Sequence, residues 1–262
     1  MLRLVSDVHT EFMQPAKAIA AAAHWAPEGA DVLVLAGDIG KVLNKHGTLN
    51  QTLVAVLATA VSKWKGKAVV YTPGNHEYYG AAEHGMAPED VDALLEEWCR
   101  LHGVVFLQKR VWDMPDTDIT FVGCTLWADA TDGALAGIND IQRALAGTEV
   151  YRRLHTEHRR WLQGALADLQ GSGRRVVVVS HHLPSYACIH PSHAGDGELN
   201  SAYATNMPLR LFKAPVCLWL HGHSHELTDV QVGTVRVVNN PTGYPGERRE
   251  TKTSTELFAV SE

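Results

Sequence analysis

The sequence predicts a layered α/β protein: a four-layer αββα sandwich of two mixed β-sheets flanked by helices. Three observations predict it. Short, often valine-rich apolar runs recur at 2–5, 32–35, 68–71, 119–122, 176–179, 216–220 and 235–238, each ended by a polar or glycine-containing turn. Runs of that length and composition read as buried strands. Helix-like stretches separate the early runs, so the first half alternates βαβα, the pattern of parallel strands under covering helices. The last runs lie closer together, which suits antiparallel strands or a second sheet better than one doubly wound sheet.

Taken in order, the run at 2–5 leads to a helical stretch at 15–25, and the run at 32–35 to another at 49–64. The run at 68–71 precedes a helix expected at 88–101, with its acidic residues early. A long amphipathic stretch at 149–169 leads into the run at 176–179. The segment 183–208 shows no clear periodicity, and irregular segments of that length in compact domains are usually functional or mobile. No internal repeat, low-complexity tract or linker divides the chain, so residues 1–262 read as a single domain.

Composition narrows the function classes. The chain is 45% apolar and 20% charged, an ordinary globular balance with enough apolar residues for a sizeable core. Net charge is −6 with histidine neutral, and no Lys/Arg block stands out, so the generic basic footprint for nucleic acid is missing. Bound metals would add local positive charge that such a count omits. The four cysteines, Cys99, Cys124, Cys188 and Cys217, form no CxxC pair and read as buried or incidental thiols. Residues 1–7 run into a strand pattern without a basic leader, and no apolar stretch approaches bilayer length, so a cytoplasmic protein with no membrane partner is expected.

Histidine is the unusual feature. Of 15, seven lie in four tight groups: His9; His76; His181 and His182; His221, His223 and His225. Polar motifs follow five of the expected strands: Ser6-Asp7-Val8-His9, Gly37-Asp38, Gly74-Asn75-His76-Glu77, Ser180-His181-His182 and His221-Gly222-His223-Ser224-His225. Carboxyl ends of strands are where open α/β sheets place their sites. Imidazole, carboxylate and amide oxygen suit divalent Mn, Fe or Zn, while thiolate is absent. Asp7 and His9 stand two apart, as do His223 and His225, so in extended chain each pair leaves the same face. Glycines 37, 74 and 222 let the backbone turn tightly beside the site. These ligand candidates are too many for one tetrahedral zinc and suit two ions sharing a carboxylate.

Together, Asp7-x-His9, Gly37-Asp38, Gly74-Asn75-His76-Glu77, His181 and Gly222-His223-x-His225 resemble the signature of the calcineurin-like metallophosphoesterase superfamily, across residues 7–225. The resemblance implies the four-layer metallophosphoesterase fold and a dinuclear centre. Asp7, His9 and His225 would hold one ion, Asn75, His181 and His223 the other, and Asp38 would bridge them. His181 is preferred to His182 because it directly follows the strand and Ser180. His76 would touch the phosphate or protonate the leaving oxygen. Two such cations acidify a bridging water and clamp the oxygens of an in-line displacement. The cofactors expected are therefore two divalent metal ions, manganese first, with iron or zinc using the same ligands.

Departures from subfamily patterns prune the substrate. Asp38 runs into Ile39-Gly40-Lys41 rather than Asp-Arg-Gly, unlike the Ser/Thr phosphatases and dinucleoside tetraphosphatases, and the Asp that orients their catalytic histidine is missing. Val42 stands where purple acid phosphatases carry a tyrosine. The segments Ser180-His-His-Leu-Pro-Ser, Leu199-Asn200-Ser201-Ala202 and Asn240-Pro241-x-Gly243-Tyr244-Pro245 resemble small bacterial cytosolic members. The expected function is hydrolysis of a small phosphodiester or phosphomonoester, a nucleotide-like one included. Specificity would reside in the loops 125–147 and 183–208. His182, His190 and His193 are the candidates for lining the substrate entrance. His24, His46, His84, His102, His155 and His158 lack partners at ligand spacing and read as surface residues. Glu77 reads as a turn cap or a support for Asn75. A nuclease acting on DNA ends would need a basic channel, and a catalytically silent scaffold should lack several ligands; neither condition is met.

Overall fold

The computed structural model describes residues 1–247 and 257–260. One sheet holds β1 (Leu2–Val5), β2 (Val32–Ala36), β3 (Ala68–Thr72) and β4 (Val105–Phe106), all parallel, with β11 (Leu257–Phe258) antiparallel against β1. The other runs in the order β5 (Arg110–Asp113), β6 (Ile119–Cys124), β7 (Arg175–Ser180), β8 (Val216–His221), β10 (Val235–Asn239), β9 (Asp229–Val232). Its four inner strands are parallel, and only the edge strands β5 and β9 are antiparallel. The late runs thus build a second sheet, but its centre is parallel rather than antiparallel.

Alternation along the strands explains the layers. Leu2, Leu4, Val32, Val34 and Val70 of the first sheet meet Phe121, Val177, Val179, Leu218 and Leu220 of the second in one buried cluster between the sheets. The intervening residues Leu33, Leu35 and Tyr71 face outward onto helices α1 (Pro15–Ala23), α2 (Gln51–Lys63) and α3 (Pro88–His102). On the far side, Val176, Val178 and Trp219 pack against Leu162 and Leu166 of α6 (Thr148–Asp168). Strands buried on both faces need apolar residues at every position, which is why they read as unbroken runs. Two short helices, α4 (Asp132–Gly137) and α5 (Asp140–Arg143), lie inside 125–147. Segment 183–208 is organised by the 3₁₀ turns Tyr186–Cys188, Pro191–His193 and Gly197–Ala202. Cys99, Cys124 and Cys188 are buried free thiols. Among the described residues no helix is long and apolar enough to cross a membrane.

Two histidines expected on the surface are in the core. His155 and His158 of α6 are 7% and 1% exposed. The Leu126 N–H donates to His158 Nδ1 at 3.3 Å, and the His155 ring bonds the Trp127 carbonyl, so both rings pin the chain that leaves β6. Burial, then the positive charge of Lys109, lowers the His158 imidazole to about 3.

At the carboxyl ends of β2 and β3, one carboxylate ties the two turns together. Glu77 is fully buried. Its Oε2 accepts from the N–H groups of Gly74 at 2.7 Å and Asp38 at 2.9 Å. Its Oε1 accepts from the N–H groups of Ile39 at 2.8 Å and Gly40 at 3.3 Å, and from the Tyr71 hydroxyl at 2.7 Å. The turns after β2 and β3 are thereby locked to each other.

Two stability outcomes follow from these burials. Glu77→Ala strands five buried donors and should lower unfolding free energy by roughly 3–5 kcal/mol, read from urea denaturation. An imidazole whose folded pKa lies below its ordinary 6.5 favours the native state only while neutral. That stability is complete above 6.5 and drains as pH falls towards 3. Wild type should therefore lose about 2 kcal/mol more than His158→Asn between pH 7 and pH 5, since asparagine keeps the acceptor and cannot titrate there.

Candidate metal centre

Parallel strands bring the ends of β1, β2 and β3 to one edge, and β7 and β8 deliver theirs to the same place from the second sheet. The segments leaving β1 and β2 run side by side. Asp7 N–H donates to the Gly37 carbonyl at 3.0 Å, and the N–H groups of Val8 and His9 both donate to the Asp38 carbonyl, at 2.8 and 3.0 Å. The expectation that Asp7 and His9 project from extended chain is corrected here. Asp7, His9, Asp38 and His223 all hold left-handed backbone, with φ of 54°, 51°, 54° and 69°. Aspartate and histidine tolerate that region better than most residues, yet each such position still costs on the order of 1–3 kcal/mol. Close approach explains the glycines: a Cβ on Gly74 would stand 2.6 Å from the Asp38 nitrogen and 2.7 Å from the His181 ring.

The side chains converge from these kinks. Asp38 Oδ1 accepts the His76 N–H at 2.8 Å, leaving Oδ2 3.4 Å from His181 Nε2 and 3.8 Å from His9 Nε2. Asp7 Oδ1 accepts the His223 N–H at 2.8 Å, and its buried Oδ2 has no hydrogen-bond partner among the described residues. His9 Nε2 faces His225 Nε2 at 2.9 Å, and His181 Nε2 faces Asn75 Oδ1 at 3.0 Å. Three of the rings have their other nitrogen occupied by an oxygen outside the cluster: His9 by Glu11, His181 by the Ala36 carbonyl and His225 by Glu247. An outer bond of this kind fixes ring pitch and tautomer. The Asn75 amide is fixed likewise, its Nδ2 donating to Asp140 Oδ1 at 2.8 Å alongside the Tyr79 hydroxyl.

Donor atoms of Asp7, His9 and His225 lie within 4.8 Å of one another, as do those of Asp38, His181 and His223. Atoms that share a cation at about 2.0–2.2 Å sit roughly 3 Å apart. The convergent nitrogens, the orphaned Asp7 oxygen and the hard-to-borderline donor set therefore fit divalent metal ions.

His76 stands beside this cluster. Its Nδ1 is 2.7 Å from Glu11 Oε1 and its Nε2 is 3.5 Å from the Tyr244 hydroxyl. Burial alone would lower its pKa, but the carboxylates of Asp38 and Glu11 prevail and hold it at about 9. Burial likewise opposes ionisation of Glu11, yet hydrogen bonds from His76 and His9 hold that carboxyl down at about 2. Glu11, Asp140 and Tyr244 were not among the residues singled out as site candidates. Glu11 carries one signal, the continued alternation Asp7-x-His9-x-Glu11, and Tyr244 lies in the 240–245 motif; Asp140 carries none.

The cluster floors a cavity of about 530 Å³. Its walls come from the two loops expected to carry specificity, including Ile138, Ile189, His190, His193 and Tyr203, with Tyr244 opposite. His182 is fully buried behind His223, with ring centroids 4.1 Å apart, and does not line the cavity.

Known proteins resemble this chain in sequence or fold. "Uncharacterized protein L509" of Acanthamoeba polyphaga mimivirus is 23% identical over 95% of this chain and 92% of its own length. The crystal structure of phosphopantetheinyl hydrolase from Mycobacterium tuberculosis superposes with a TM-score of 0.67 at 20% identity, covering 93% of this chain and 89% of that one, a likeness of fold. The sequence model of the calcineurin-like phosphoesterase family matches residues 2–227, and the chain belongs to that family.

Proposed function

We propose that the chain hydrolyses a small phosphodiester or phosphomonoester with two divalent metal ions, manganese first and iron or zinc as alternatives. Asp7, His9 and His225 would hold one ion, Asn75, His181 and His223 the other, and Asp38 would be shared between them. The observation that supports this reading is the convergence of the seven donors at the floor of one cavity, whose lining includes Asp38, Asn75, His223 and His225, with His76 beside them. When bound, two such cations neutralise charge developing on the phosphoryl oxygens and align an in-line displacement.

The chain's own residues do the rest. Asp38 presents one oxygen to the shared space because the His76 N–H occupies the other. Asp140 turns the Asn75 amide so that its oxygen, not its nitrogen, faces His181. His76 directs Nε2 towards Tyr244 at the cavity wall, where its proton is available to a leaving oxygen. General acid catalysis of this kind contributes about 10²–10⁴-fold. A cavity of about 530 Å³ suits a small ligand. A DNA substrate would need a long groove instead, and the complete donor set argues against a silent scaffold.

Wild type loaded with manganese should carry two ions per chain by elemental analysis and cleave bis(4-nitrophenyl) phosphate or 4-nitrophenyl phosphate; chelation should abolish turnover. Asp38→Asn should lose at least one ion, whereas His76→Asn should keep both and lose about 10²–10⁴-fold in kcat. Unchanged metal uptake and turnover in Asp38→Asn would sink the two-metal reading. Asp140→Ala should weaken the binding of one ion about 10–100-fold in a metal titration, with the other unaffected.

A further inference from the structure

We propose that Glu11 is a positioning residue that orients two imidazoles with one oxygen atom, coupling the pitch of the proton-donating His76 to that of the metal-facing His9. This inference rests on the two-metal reading above and deepens it. Glu11 sits on the 3₁₀ turn Thr10–Phe12, directly after the left-handed His9. The turn is held from both sides: Thr10 N–H donates to the Ile39 carbonyl and Phe12 N–H to the His9 carbonyl, each at 3.0 Å. The Glu11 side chain is 9% exposed. Its Oε1 lies 2.7 Å from His76 Nδ1 and 3.3 Å from His9 Nδ1.

An acceptor shared in this way fixes both rings with Nδ1–H directed at Glu11. The Nε2 of His9 then carries a lone pair towards His225 and Asp38. The Nε2 of His76 is left facing the cavity wall. The rings also bear on each other, edge to face, with centroids 4.4 Å apart, while Tyr79 stacks flat on His76 at 4.0 Å. Stacking sets the plane of the His76 ring but not which edge carries Nδ1, since a half-turn about Cβ–Cγ keeps the same plane; the bond to Glu11 selects the edge. The other carboxylate oxygen, Oε2, is buried without a hydrogen-bond partner among the described residues. A group placed for stability alone would be expected to satisfy both oxygens. Glu11 is instead satisfied only where it meets the two histidines.

The test uses the full chain, manganese-loaded, and aryl phosphate diesters graded from 4-nitrophenyl to unsubstituted phenyl leaving groups. Glu11→Ala and Glu11→Gln are made in wild type and in His76→Asn. Glu11→Ala should lose about 10–100-fold in kcat on the phenyl ester and distinctly less on the 4-nitrophenyl ester, whose oxygen needs little protonation. At saturating manganese it should cause no further loss in the His76→Asn background. Its manganese affinity should fall through His9, and the thermal midpoint of the metal-free protein should not. Glu11→Gln retains an acceptor oxygen and should recover part of the loss. Equal losses on both esters, or equal losses in both backgrounds, would overturn the role. A wild type that binds no manganese and cleaves neither ester would overturn the underlying reading and this inference with it. An active wild type matched by an equally active Glu11→Ala removes Glu11 alone.

Discussion

Everything at the functional edge depends on the buried carboxylate of Glu77. Four backbone N–H groups and one hydroxyl point at it; the N–H groups come from the turns after β2 and β3, and the hydroxyl is that of Tyr71 in β3. Because it holds the nitrogen of Asp38 and that of Gly74, it sets the distance between the central carboxylate and the segment carrying Asn75 and His76. In the proposed two-metal reading, a bridging Asp38 needs that distance fixed. Burying a charge is costly unless it is fully hydrogen-bonded, and here every available direction is filled by a donor.

The second constraint is the backbone itself. Four of the seven donor residues sit at positive φ, where each side chain is swung off the line of its strand and into the space between the sheets' ends. The four-layer core over-determines this arrangement. Strands buried on both faces cannot slide or rotate to relieve a kink at their tips, so the local cost is carried by apolar packing elsewhere. Gly37, Gly74 and Gly222 follow from the same crowding, since a Cβ at any of them would press on a donor or on the backbone that holds one.

Much of this was legible in the sequence because its period and its punctuation agree. Unbroken apolar runs such as 32–35 and 176–179 marked strands, and polar motifs at their ends marked the edge where chemistry gathers. Residues that act on other residues left fainter traces. Glu77 announced a turn but not its five donors, because four of those are main-chain groups that any sequence supplies. Asp140 opens the single-turn helix α5, too short to leave a readable period, and its bond to Asn75 spans 65 positions. His155 and His158 were misread because histidine on an amphipathic helix has no fixed side; what buried them is the chain leaving β6, which needs partners for the Leu126 N–H and the Trp127 carbonyl. The shared extended face assumed for Asp7 and His9 failed for another reason: strand periodicity ends where the strand does.

The pairing of His9 with His225 closes a loop of 216 residues. Contacts so distant form late, after the intervening chain has been ordered and its loop-closure entropy overcome. During synthesis a ribosome that has released β7 has already exposed Asp7, His9, Asp38, Asn75 and His181, but not the two histidines that follow β8. In the proposed two-metal reading, neither ion site is complete until the segment that follows β8 has joined the others.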